Sequence, residues 1–330
     1  MDESTMGYSN NKNGLIMKDP LVSIITINYN NPEITAAMLQ SLSVLKYDNY
    51  EVIVVDNASN EGRSSIKLKK KYPFISHISL PVNLGFAGGN NVALQFAKGE
   101  YIFLLNNDTE VTPDLITILV QYLKHNPDCG IACPKIKYFL QPQLIQYAGS
   151  VGLHPITSRS YEEGYLQADT GQFNRSQKTD LPNGAAMMVP MKLIEQIGGM
   201  SELFFLYYEE LDWAVYFKKA GFNVHYVGTA EVFHKESSST GLNSAFKTFY
   251  LYRNRFLYIR RNYKGLKFLG ASAYFIFIAS ILHIIKHAFK KEWSHSLSIL
   301  KGFWWNMHNS AYKEPKINAL SFLNKLVPDK

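Results

Sequence analysis

The fold of this chain is predicted most directly by Tyr101-Ile102-Phe103-Leu104-Leu105-Asn106-Asn107-Asp108-Thr109. Five apolar residues in a row are typical of a strand that is buried on both faces of a sheet. In α/β proteins such a strand carries the residues that follow it to the sheet edge where ligands usually bind. The polar residues at its end offer oxygen ligands that suit Mg²⁺ or Mn²⁺, but the same types are common in turns and at helix N-termini. These nine residues alone leave both interpretations open.

Two further segments upstream have the same plan, an apolar strand that ends in polar residues. Residues 21–27 run into Asn28-Tyr29-Asn30, and residues 51–55 run into Asp56. Asn31-Pro32 begins a helical pattern between them, and the succession of strand, helix and strand predicts a parallel βαβ unit. Asp56 could accept hydrogen bonds from a ribose or a base, although Asp-Asn-Ala-Ser is also ordinary turn sequence. The chain is therefore predicted to be an α/β protein.

A glycine-rich segment, residues 83–91, precedes the helical pattern of residues 92–97. Glycines at a helix N-terminus let backbone N–H groups approach an anionic ligand closely. The segment is not the dinucleotide fingerprint, which belongs after the first strand, and this argues against an NAD-dependent dehydrogenase. A sugar nucleotidyltransferase would also need a Gly-rich loop with Arg or Lys directly after the first strand, and residues 28–31 do not provide one.

Three acids, Glu209, Glu210 and Asp212, stand at the start of a predicted helix, directly after an aromatic run. The helix macrodipole alone favours negative charge at this position. A carboxylate that is held ionised in a partly buried cleft is also what a catalytic base requires. His234 lies on a short predicted strand, where a single histidine is more often a packing or surface residue than a ligand.

Length and composition allow one large α/β domain with an appendage, or two modest domains. The 330 residues are 46% hydrophobic and 18% charged, as expected of a globular protein. Two cysteines, Cys129 and Cys133, provide neither a disulfide framework nor a metal quartet, which fits a reducing compartment. Residues 1–19 are polar and lack the apolar core of a signal peptide, so we expect a disordered N-terminal extension.

The net charge of +7 belongs to the C-terminal quarter of the chain. Residues 245–330 contain 15 Lys and Arg against 3 Asp and Glu, and residues 268–285 contain none of these four types. An apolar run flanked by basic residues and tryptophans is typical of a helix that lies in the interface of an anionic membrane. A buried core helix and a true membrane span are the alternatives. Nucleic acid is not expected as a partner, because it would explain the charge but not the apolar run.

Together these motifs resemble the nucleotide-sugar glycosyltransferases of family 2, and most of all their bacterial rhamnosyltransferase-like members. The resemblance extends over residues 22–261 and is carried by residues 22–30, 55–59, 83–91, 105–108, 183–186 and 208–212, with His234 and residues 252–255 matching later features. It implies a GT-A fold, in which a Rossmann-like, mostly parallel central sheet is flanked by helices. The glycosyltransferase domain would comprise residues 20–244. Residues 245–330 would form a basic, aromatic-rich helical extension that associates with the membrane.

The resemblance also implies which residues bind the donor and a metal. The expected donor-binding residues are Thr26, Asn28, Asn30, Asp56, Asn83, Gly85, Gly88, Asn91, Asn107, Gly184 and Ala185. A divalent metal, Mg²⁺ or Mn²⁺, would be held by Asp108 and His234 together with Asn106. Asn106 stands where the family's Asp-x-Asp motif has its first acid, so weaker metal binding is expected here.

Glu210 falls at the position of the family's catalytic base, which is usually an Asp. Glu209 and Asp212 are rival candidates for the base, and these two acids with Trp213 are also candidates for contact with the acceptor. A carboxylate would take the proton of the attacking sugar hydroxyl, while a divalent metal would neutralise the charge that gathers on the departing nucleoside diphosphate.

The reaction implied is an inverting transfer of a sugar from a nucleotide-sugar donor to a hydroxyl of a growing, lipid-linked cell-surface polysaccharide. The expected donor is dTDP-L-rhamnose, with a UDP-sugar that carries a galactosyl, glucosyl or galactofuranosyl group as the alternative. The protein would be cytoplasmic and peripherally attached to the inner face of the cell membrane. A different class remains open, a non-catalytic, membrane-associated sugar-nucleotide-binding protein, because Asn106 and Glu210 both depart from the usual acids.

Overall fold

A computed structural model describes residues 19–60, 63–235 and 244–316 of the chain, together with 318, 319, 321 and 323. The predicted N-terminal extension, residues 1–19, lies outside the described residues except for Asp19. The strands are β1 Val22–Asn28, β2 Tyr50–Asp56, β3 Ile75–Ser79, β4 Tyr101–Leu105, β5 Thr109–Val111, β6 Cys129–Tyr138, β7 Ile145–Tyr147, β8 Ser150–Val151, β9 Tyr161–Glu162, β10 Gln177–Thr179, β11 Ala186–Pro190 and β12 Asn223–His234.

The helices alternate with these strands in the first two thirds of the chain and then follow one another to the C-terminal end. They are α1 Pro32–Ser41, α2 Arg63–Lys71, α3 Gly85–Leu94, α4 Leu115–His125, α5 Met191–Ile197, α6 Glu209–Lys219, α7 Ala245–Asn262, α8 Gly265–Ala273, α9 Ser280–Phe289 and α10 Trp293–His308. A six-residue π-helical turn, Tyr274–Ala279, joins α8 to α9, so residues 265–289 form one continuous helix.

One mixed sheet forms the centre of the molecule. Its strand order is β10-β12-β6-β11-β4-β1-β2-β3, with β5 paired to β12 and β7 paired to β6. The strands β4, β1, β2 and β3 are mutually parallel, whereas β11 is antiparallel to both of its neighbours. The predicted α/β class is confirmed, and β1 lies between β2 and β4 in the sheet.

The apolar runs become strands because helices cover both faces of the sheet. Every residue of β4 after Tyr101 is buried, and so is the run Val52–Asp56 of β2. The packed side chains of the sheet and its helices form one large hydrophobic core. Because these parallel strands end at one edge, Asn28 and Asp56 come to lie side by side in register.

Two local predictions differ from the structure. The glycines of residues 85–89 were expected to precede a helix over residues 92–97, but they form the first turns of α3. The helix can begin there because Gly85 has a φ of +71°, and an added Cβ would lie 2.1 Å from the carbonyl oxygen of Phe205. The predicted short strands around residues 223–227 and 231–235 are a single strand, β12, with a break in its pairing to β6.

The helices after residue 244 pack on a second, smaller hydrophobic cluster that includes Phe204, Leu257 and Phe275. The helices α7 and α10 lie against each other at Gly302, where an added Cβ would be 3.0 Å from the backbone nitrogen of Arg253. The smaller cluster therefore joins the C-terminal helices to the segment directly before α6.

Candidate active site

A chain of hydrogen bonds joins the ends of the three central strands. Asn107, after β4, donates to the hydroxyl of Thr35 at 2.9 Å, and Thr35 donates to Asn28 Oδ1 at 2.8 Å. Asn28 then donates to Ser59 Oγ at 3.3 Å, and Ser59 donates to Asp56 Oδ1 at 2.5 Å. We call these five residues the strand-end network. It brings together three of the predicted donor-binding residues, and Thr35 and Ser59 were not among the predicted ones.

Two other predicted donor-binding residues flank this network. Asn30 has a φ of 56°, its backbone N–H donates to Ser59 Oγ at 2.9 Å, and its side chain accepts from the N–H of Asn60 at 2.8 Å. Thr26 lies two residues before Asn28 on the same face of β1, and it is buried. Within the described part of the chain its hydroxyl has no hydrogen-bond partner. Thr26 therefore lies beneath the strand ends, whereas Asn30 lies at the rim.

The predicted residues Asn83 and Gly85 are organised by Asn57, which the sequence did not single out. The Asn57 amide donates to the carbonyl of Gly85 at 2.9 Å and accepts from the N–H of Leu84 at 2.8 Å. Asn83 Oδ1 accepts from the N–H of Gly85 at 2.8 Å. The backbone of the next residue, Phe86, donates to Phe205 at 2.6 Å. This segment therefore links the strand ends to the loop before α6.

Asn91 is occupied by protein groups. Its amide donates to the carbonyl of Met200 at 2.8 Å and to Glu202 at 3.0 Å, and its oxygen accepts from the N–H of Met200 at 3.0 Å. Gly88 lies one turn earlier, where an added Cβ would be 3.0 Å from Glu202. Both predicted donor-binding residues thus hold α3 against residues 200–202 in this structure.

The predicted metal ligands Asp108 and His234 are direct neighbours. Their side chains approach to 3.1 Å between Asp108 Oδ1 and His234 Nε2, and both are largely buried. They meet because Thr109 pairs with His234 between β5 and β12. The other ring nitrogen of His234 is bonded to Gln146 at 2.8 Å, a type of contact that fixes the orientation of metal-binding histidines. Nothing in the sequence pointed to Gln146.

The chemistry of this pair is compatible with a divalent cation. A carboxylate and an imidazole that converge suit Mn²⁺ more than Mg²⁺, which prefers oxygen ligands alone. Among the residues that the structure describes, no group of three or more His, Cys, Asp or Glu converges on one point. Further ligands would then come from a bound molecule or water, as is usual where metals carry substrate phosphates.

Glu210 is linked to Asn106, the first residue of the metal motif, through a short stretch of backbone. An added Cβ at Gly184 would lie 3.8 Å from the carboxyl carbon of Glu210. The next residue, Ala185, accepts a hydrogen bond from the N–H of Asn106 at 2.9 Å. The predicted base, two predicted donor-binding residues and the first residue of the metal motif are therefore adjacent. The antiparallel pairing of β11 with β4 produces this arrangement.

The carboxyl groups of Glu209 and Glu210 are unusual because each has a buried oxygen, Oε2, without a hydrogen-bond partner among the described residues. Burial, with a smaller contribution from the charge of Glu162, raises the pKa of Glu210 to about 7. Burial, and then the charge of Glu210, raise the pKa of Glu209 well above its ordinary value. Glu210 can therefore exchange a proton near neutral pH, and the surroundings of Glu209 favour its neutral form.

The loop before α6 has a strained backbone. Phe205, Tyr207 and Tyr208 have φ values of 64°, 70° and 76°, a left-handed conformation that bulky residues seldom adopt. Two consecutive residues of α7, Arg253 and Asn254, donate hydrogen bonds to the carbonyl groups of this loop. Strain of this kind persists where the surroundings determine the conformation, and here it fixes the start of the helix that carries both glutamates.

Arg253 and Asn254 supply those contacts. The Asn254 amide donates to the carbonyls of Phe204, Leu206 and Tyr207 at 2.8, 2.7 and 2.8 Å. Arg253 donates to the carbonyls of Leu203 and Phe204 at 2.7 and 2.5 Å. Both side chains are buried. Residues 252–255 matched the family in sequence, but no pattern indicated that two of them position the loop before Glu209 and Glu210.

The remaining predicted residues, Asp212 and Trp213, are engaged within the protein. Asp212 pairs with Arg261 at 3.0 Å and accepts from Asn262 at 2.7 Å. The indole N–H of Trp213 donates to the carbonyl of Gly198 at 2.8 Å, and the ring is buried. Both residues line a cavity of about 710 Å³ that is bounded by α5, by α6 and by Glu314, Asn318, Ala319 and Leu323. The structure gives them a role in packing α6, since Asp212 lies on the opposite side of this helix from Glu210.

Comparison with known proteins accords with this geometry. A family model described as Glycosyl transferase family 2 matches residues 23–198, which is more than half of the chain. The chain is 27% identical over 241 residues to the low-salt glycan biosynthesis hexosyltransferase Agl10 of Haloferax volcanii, covering 72% of this chain and 74% of that protein. It is 22% identical over 270 residues to N-acetylglucosaminyl-diphospho-decaprenol L-rhamnosyltransferase of Mycobacterium tuberculosis, covering 74% of this chain and 86% of that protein.

Two solved structures share the fold. The mannosyltransferase PcManGT of Pyrobaculum calidifontis, solved with GDP-Man and Mn²⁺, has a TM-score of 0.55 at 16% identity, covering 94% of this chain and 80% of that chain. GalNAc-T7, solved with UDP, GalNAc and Mn²⁺, has a TM-score of 0.57 at 11% identity, covering 80% of this chain and 57% of that chain. The predicted GT-A fold is confirmed. The chain belongs to glycosyl transferase family 2 and is a glycosyltransferase that uses a nucleotide-sugar donor.

Proposed function

We propose that this enzyme is an inverting, metal-dependent hexosyltransferase that works at a membrane surface and extends a lipid-linked glycan. The observation that carries the proposal is the adjacency of Glu210 to the metal motif through Gly184 and Ala185. A base on one side of this backbone and a cation-binding pair on the other suit a single displacement at the anomeric carbon. No covalent intermediate is required.

Glu210 is assigned as the base that takes the proton from the attacking hydroxyl. A sugar hydroxyl is a poor nucleophile at neutral pH, and a base acts best when its pKa lies near the working pH. The pKa of about 7 for Glu210 meets that condition. Glu209 is the weaker candidate, because burial and the charge of Glu210 raise its pKa well above the ordinary value and so favour its neutral form. Its place beside Glu210 suggests a supporting role.

Asp108 and His234 are assigned to a divalent cation, with Mn²⁺ preferred because one ligand is an imidazole. When bound, such an ion neutralises the charge of the departing nucleoside diphosphate. Asn106 stands beside this pair with an uncharged amide, so it is expected to add less to metal affinity than an acid would. The strand-end network is assigned to the nucleoside, whose base and ribose offer several hydrogen-bonding groups to amide and carboxylate side chains.

The donor is proposed to be dTDP-L-rhamnose. The support is the likeness to the Mycobacterium tuberculosis protein, whose name describes an L-rhamnosyltransferase that acts on a diphospho-decaprenol-linked sugar. A UDP-sugar with a galactosyl, glucosyl or galactofuranosyl group is the alternative donor. The same name supports a lipid-linked acceptor for this enzyme. None of the strand-end residues distinguishes thymine from uracil by its contacts within the protein.

Association with the membrane surface is supported by the exposed side chains of α8, α9 and α10. Large apolar side chains that are each at least 60% exposed occur at Leu266, Phe277, Leu282, Phe289, Trp293 and Trp304. The helix Gly265–Phe289 is long and apolar enough to cross a membrane, and 22% of its most apolar 18-residue window is buried in the protein. With lysines nearby, this surface suits attachment to the anionic inner face of a cell membrane.

Donor binding and turnover test the catalytic proposal. A thermal-shift screen of dTDP-L-rhamnose and UDP-sugars, with and without Mn²⁺, should identify one donor that stabilises the enzyme. That donor should then be consumed in a metal-dependent reaction that Asp108→Ala abolishes. Binding without turnover, when a lipid-linked acceptor is supplied, would favour the non-catalytic sugar-nucleotide-binding protein instead.

Co-sedimentation with vesicles of anionic phospholipid tests the membrane proposal. The double substitution of Phe277→Ser and Phe289→Ser removes two side chains that are 69% and 86% exposed, so folding should be unaffected. The variant should leave the vesicle pellet. Leu140→Ser is the matched control, since Leu140 is 87% exposed but lies before β7, away from these helices. Equal sedimentation of the double variant and the control would contradict attachment through this surface.

A further inference from the structure

Three basic side chains meet between Glu210 and the apolar helix 265–289, and the proposed reaction has not used them. Arg255 comes from α7, Arg159 from the loop between β8 and β9, and His283 from α9. Arg159 Nη2 and His283 Nε2 are 3.4 Å apart. The guanidinium of Arg255 lies 5.2 Å over the ring of Phe275, on the same helix as His283. We call these three residues the basic cluster.

Arg255 is the buried member of the cluster. It is 7% exposed, it donates to the carbonyl of Thr157, and its Nε has no partner within the described ranges. Neither Arg255 nor Arg159 forms an ion pair with any carboxylate that the structure describes. A buried guanidinium without a counter-ion is costly, so an anion bound at this point would lower the cost of burying Arg255.

The contacts of α7 place the cluster next to the loop that precedes the proposed base. Asn254, which is followed directly by Arg255, donates to the carbonyl of Tyr207 at 2.8 Å. Tyr207 lies three residues before Glu210 in the chain. The strands β1, β2 and β4, which carry the strand-end network, and the proposed metal ligands contribute no residue to the cluster. The cluster therefore suits an anion other than the diphosphate of the nucleotide donor.

The other side of the cluster is apolar and exposed. Phe277 and Leu282, within two turns of Phe275 and His283, are 69% and 60% exposed. An anion bound by the cluster would have Glu210 towards one side and this apolar surface towards the other. An acceptor in which a phosphate joins a sugar to a hydrocarbon chain has the same order of chemical groups.

We propose that Arg255, Arg159 and His283 bind the phosphate or diphosphate through which the acceptor sugar is attached to its lipid. This assignment rests on the proposed function, because it takes the hydroxyl of that sugar to Glu210. Arginines suit the role because the guanidinium presents several N–H donors to phosphate oxygens at once. The uncharged form of His283 can accept from Arg159, since burial and then the charge of Arg159 lower its pKa.

The test measures binding of a prenyl diphosphate in the absence of donor and metal. Farnesyl diphosphate is titrated calorimetrically into the full-length protein in detergent with EDTA, and farnesol, inorganic pyrophosphate and anionic phospholipid vesicles are titrated separately. Farnesyl diphosphate should bind more tightly than farnesol and pyrophosphate. Arg255→Gln should weaken it by about 10-fold to 100-fold, the range for a lost charge-assisted hydrogen-bonding group, and Arg159→Gln by about 10-fold.

Arg175→Gln is the matched control, because Arg175 is an exposed arginine outside the cluster, and it should bind farnesyl diphosphate as the natural protein does. Arg159 is also exposed, so its substitution keeps the test valid if Arg255→Gln fails to fold. Equal affinity of the natural protein and a folded cluster variant for farnesyl diphosphate would overturn the assignment. So would a loss that is as large for anionic vesicles, since this would indicate a general membrane contact.

The two proposals can fail separately. Transfer to a phosphate-free alkyl glycoside measures the proposed function without the cluster, and it should be unchanged in the control Arg175→Gln. If transfer is absent but binding of farnesyl diphosphate depends on the arginines, the lipid-phosphate site stands and the proposed reaction does not. If transfer occurs and the arginines do not affect diphosphate binding, the reverse holds.

Discussion

The strand-end network and the pair Glu209–Glu210 both contain buried polar side chains, but they differ in how far these side chains are hydrogen-bonded. In the network, Asn107, Thr35 and Asn28 pass hydrogen bonds from one strand end to the next. In the pair, each carboxyl group keeps a buried oxygen without a partner among the described residues. One region is satisfied internally and the other is not.

The difference follows from what each region has to do. Side chains that hold a ligand in one orientation benefit from partners that fix them, because a satisfied network is rigid. A base must gain and lose a proton, and burial without partners raises its pKa towards neutrality. Arg253 and Asn254 hold the strained loop that precedes the two glutamates. A comparison of variants in the two regions should therefore separate binding from chemistry.

The largest effect is expected from Glu210→Gln. The amide cannot accept the hydroxyl proton, so turnover should fall by about 10²-fold to 10⁴-fold, the usual contribution of a general base. The KM for the donor should stay close to that of the natural enzyme. Steady-state release of nucleoside diphosphate measures both. The exposed Glu195→Gln is the control, and a loss of less than tenfold in Glu210→Gln would mean that another residue is the base.

Asp108→Asn should produce the next largest loss. Removing the carboxylate weakens the cation site and the electrostatic stabilisation that it supports, and activity at fixed Mn²⁺ should fall by about 10²-fold to 10³-fold. His234→Ala should cost less, because Asp108 remains. A titration of activity against Mn²⁺ should show a raised metal requirement in both variants. An unchanged requirement in Asp108→Asn would contradict the assignment.

Asn254→Leu tests whether the hydrogen bonds that Asn254 donates to the strained loop affect turnover. Leucine has a similar volume but cannot donate to the carbonyls of Phe204, Leu206 and Tyr207, so buried acceptors lose their partner at a cost of about 1–3 kcal/mol each. We expect turnover to fall by about 10-fold to 100-fold, as for residues that orient catalytic groups. Nucleotide binding should be retained, which calorimetry can check. Equal losses of binding and turnover would indicate a general loss of structure.

Thr35→Val should have a smaller effect. It changes the strand-end network, so it should affect stability and donor binding more than turnover. The substitution keeps the shape of the side chain but removes the hydroxyl between Asn107 and Asn28. The free energy of unfolding should fall by about 1–3 kcal/mol, and the KM for the donor should rise with little change in kcat. Urea unfolding and steady-state kinetics measure the two effects. A fall in kcat at constant KM would contradict the division of roles.

The smallest effect concerns pH. Because Glu210 must be ionised to act and its pKa is about 7, activity should rise with pH and reach half its maximum near neutrality. Glu162→Gln removes a negative charge that raises this pKa, so the midpoint should move to lower pH. The exposed Glu195→Gln is the control, since the charge of Glu195 does not contribute to the pKa of Glu210. A shift of the midpoint in Glu209→Gln but not in Glu162→Gln would reverse the assignments of Glu209 and Glu210.

The sequence predicted the donor half of the molecule better than the acceptor half. Asn28, Asp56 and Asn107 each follow an apolar strand, and local patterning with the rule for parallel strands was enough to bring them to one edge. The conformation of the loop before α6 depends on Arg253 and Asn254, about 50 residues further along the chain, and no local pattern encodes such a contact. Gln146 and the start of α3 were missed for the same reason.

Several predicted site residues make their observed contacts within the protein. Asp212 and Trp213 lie two and three residues after Glu210, and their motif match did not indicate which side of α6 they occupy. Their bonds to Arg261 and Gly198 turn them towards the interior. Asn91 was likewise placed in the donor pocket by its position in the glycine-rich segment, and its amide is engaged with Met200 and Glu202.

One measurement tests the division of labour most directly: calorimetric titration of the nucleoside diphosphate of the preferred donor, with Mn²⁺, into the natural enzyme, Glu210→Gln and Asp108→Asn. The account predicts that Glu210→Gln binds the nucleotide as tightly as the natural enzyme does while its turnover is lost. Asp108→Asn should lose the part of the affinity that depends on Mn²⁺. Loss of nucleotide binding in Glu210→Gln, or full metal-dependent binding in Asp108→Asn, would contradict it.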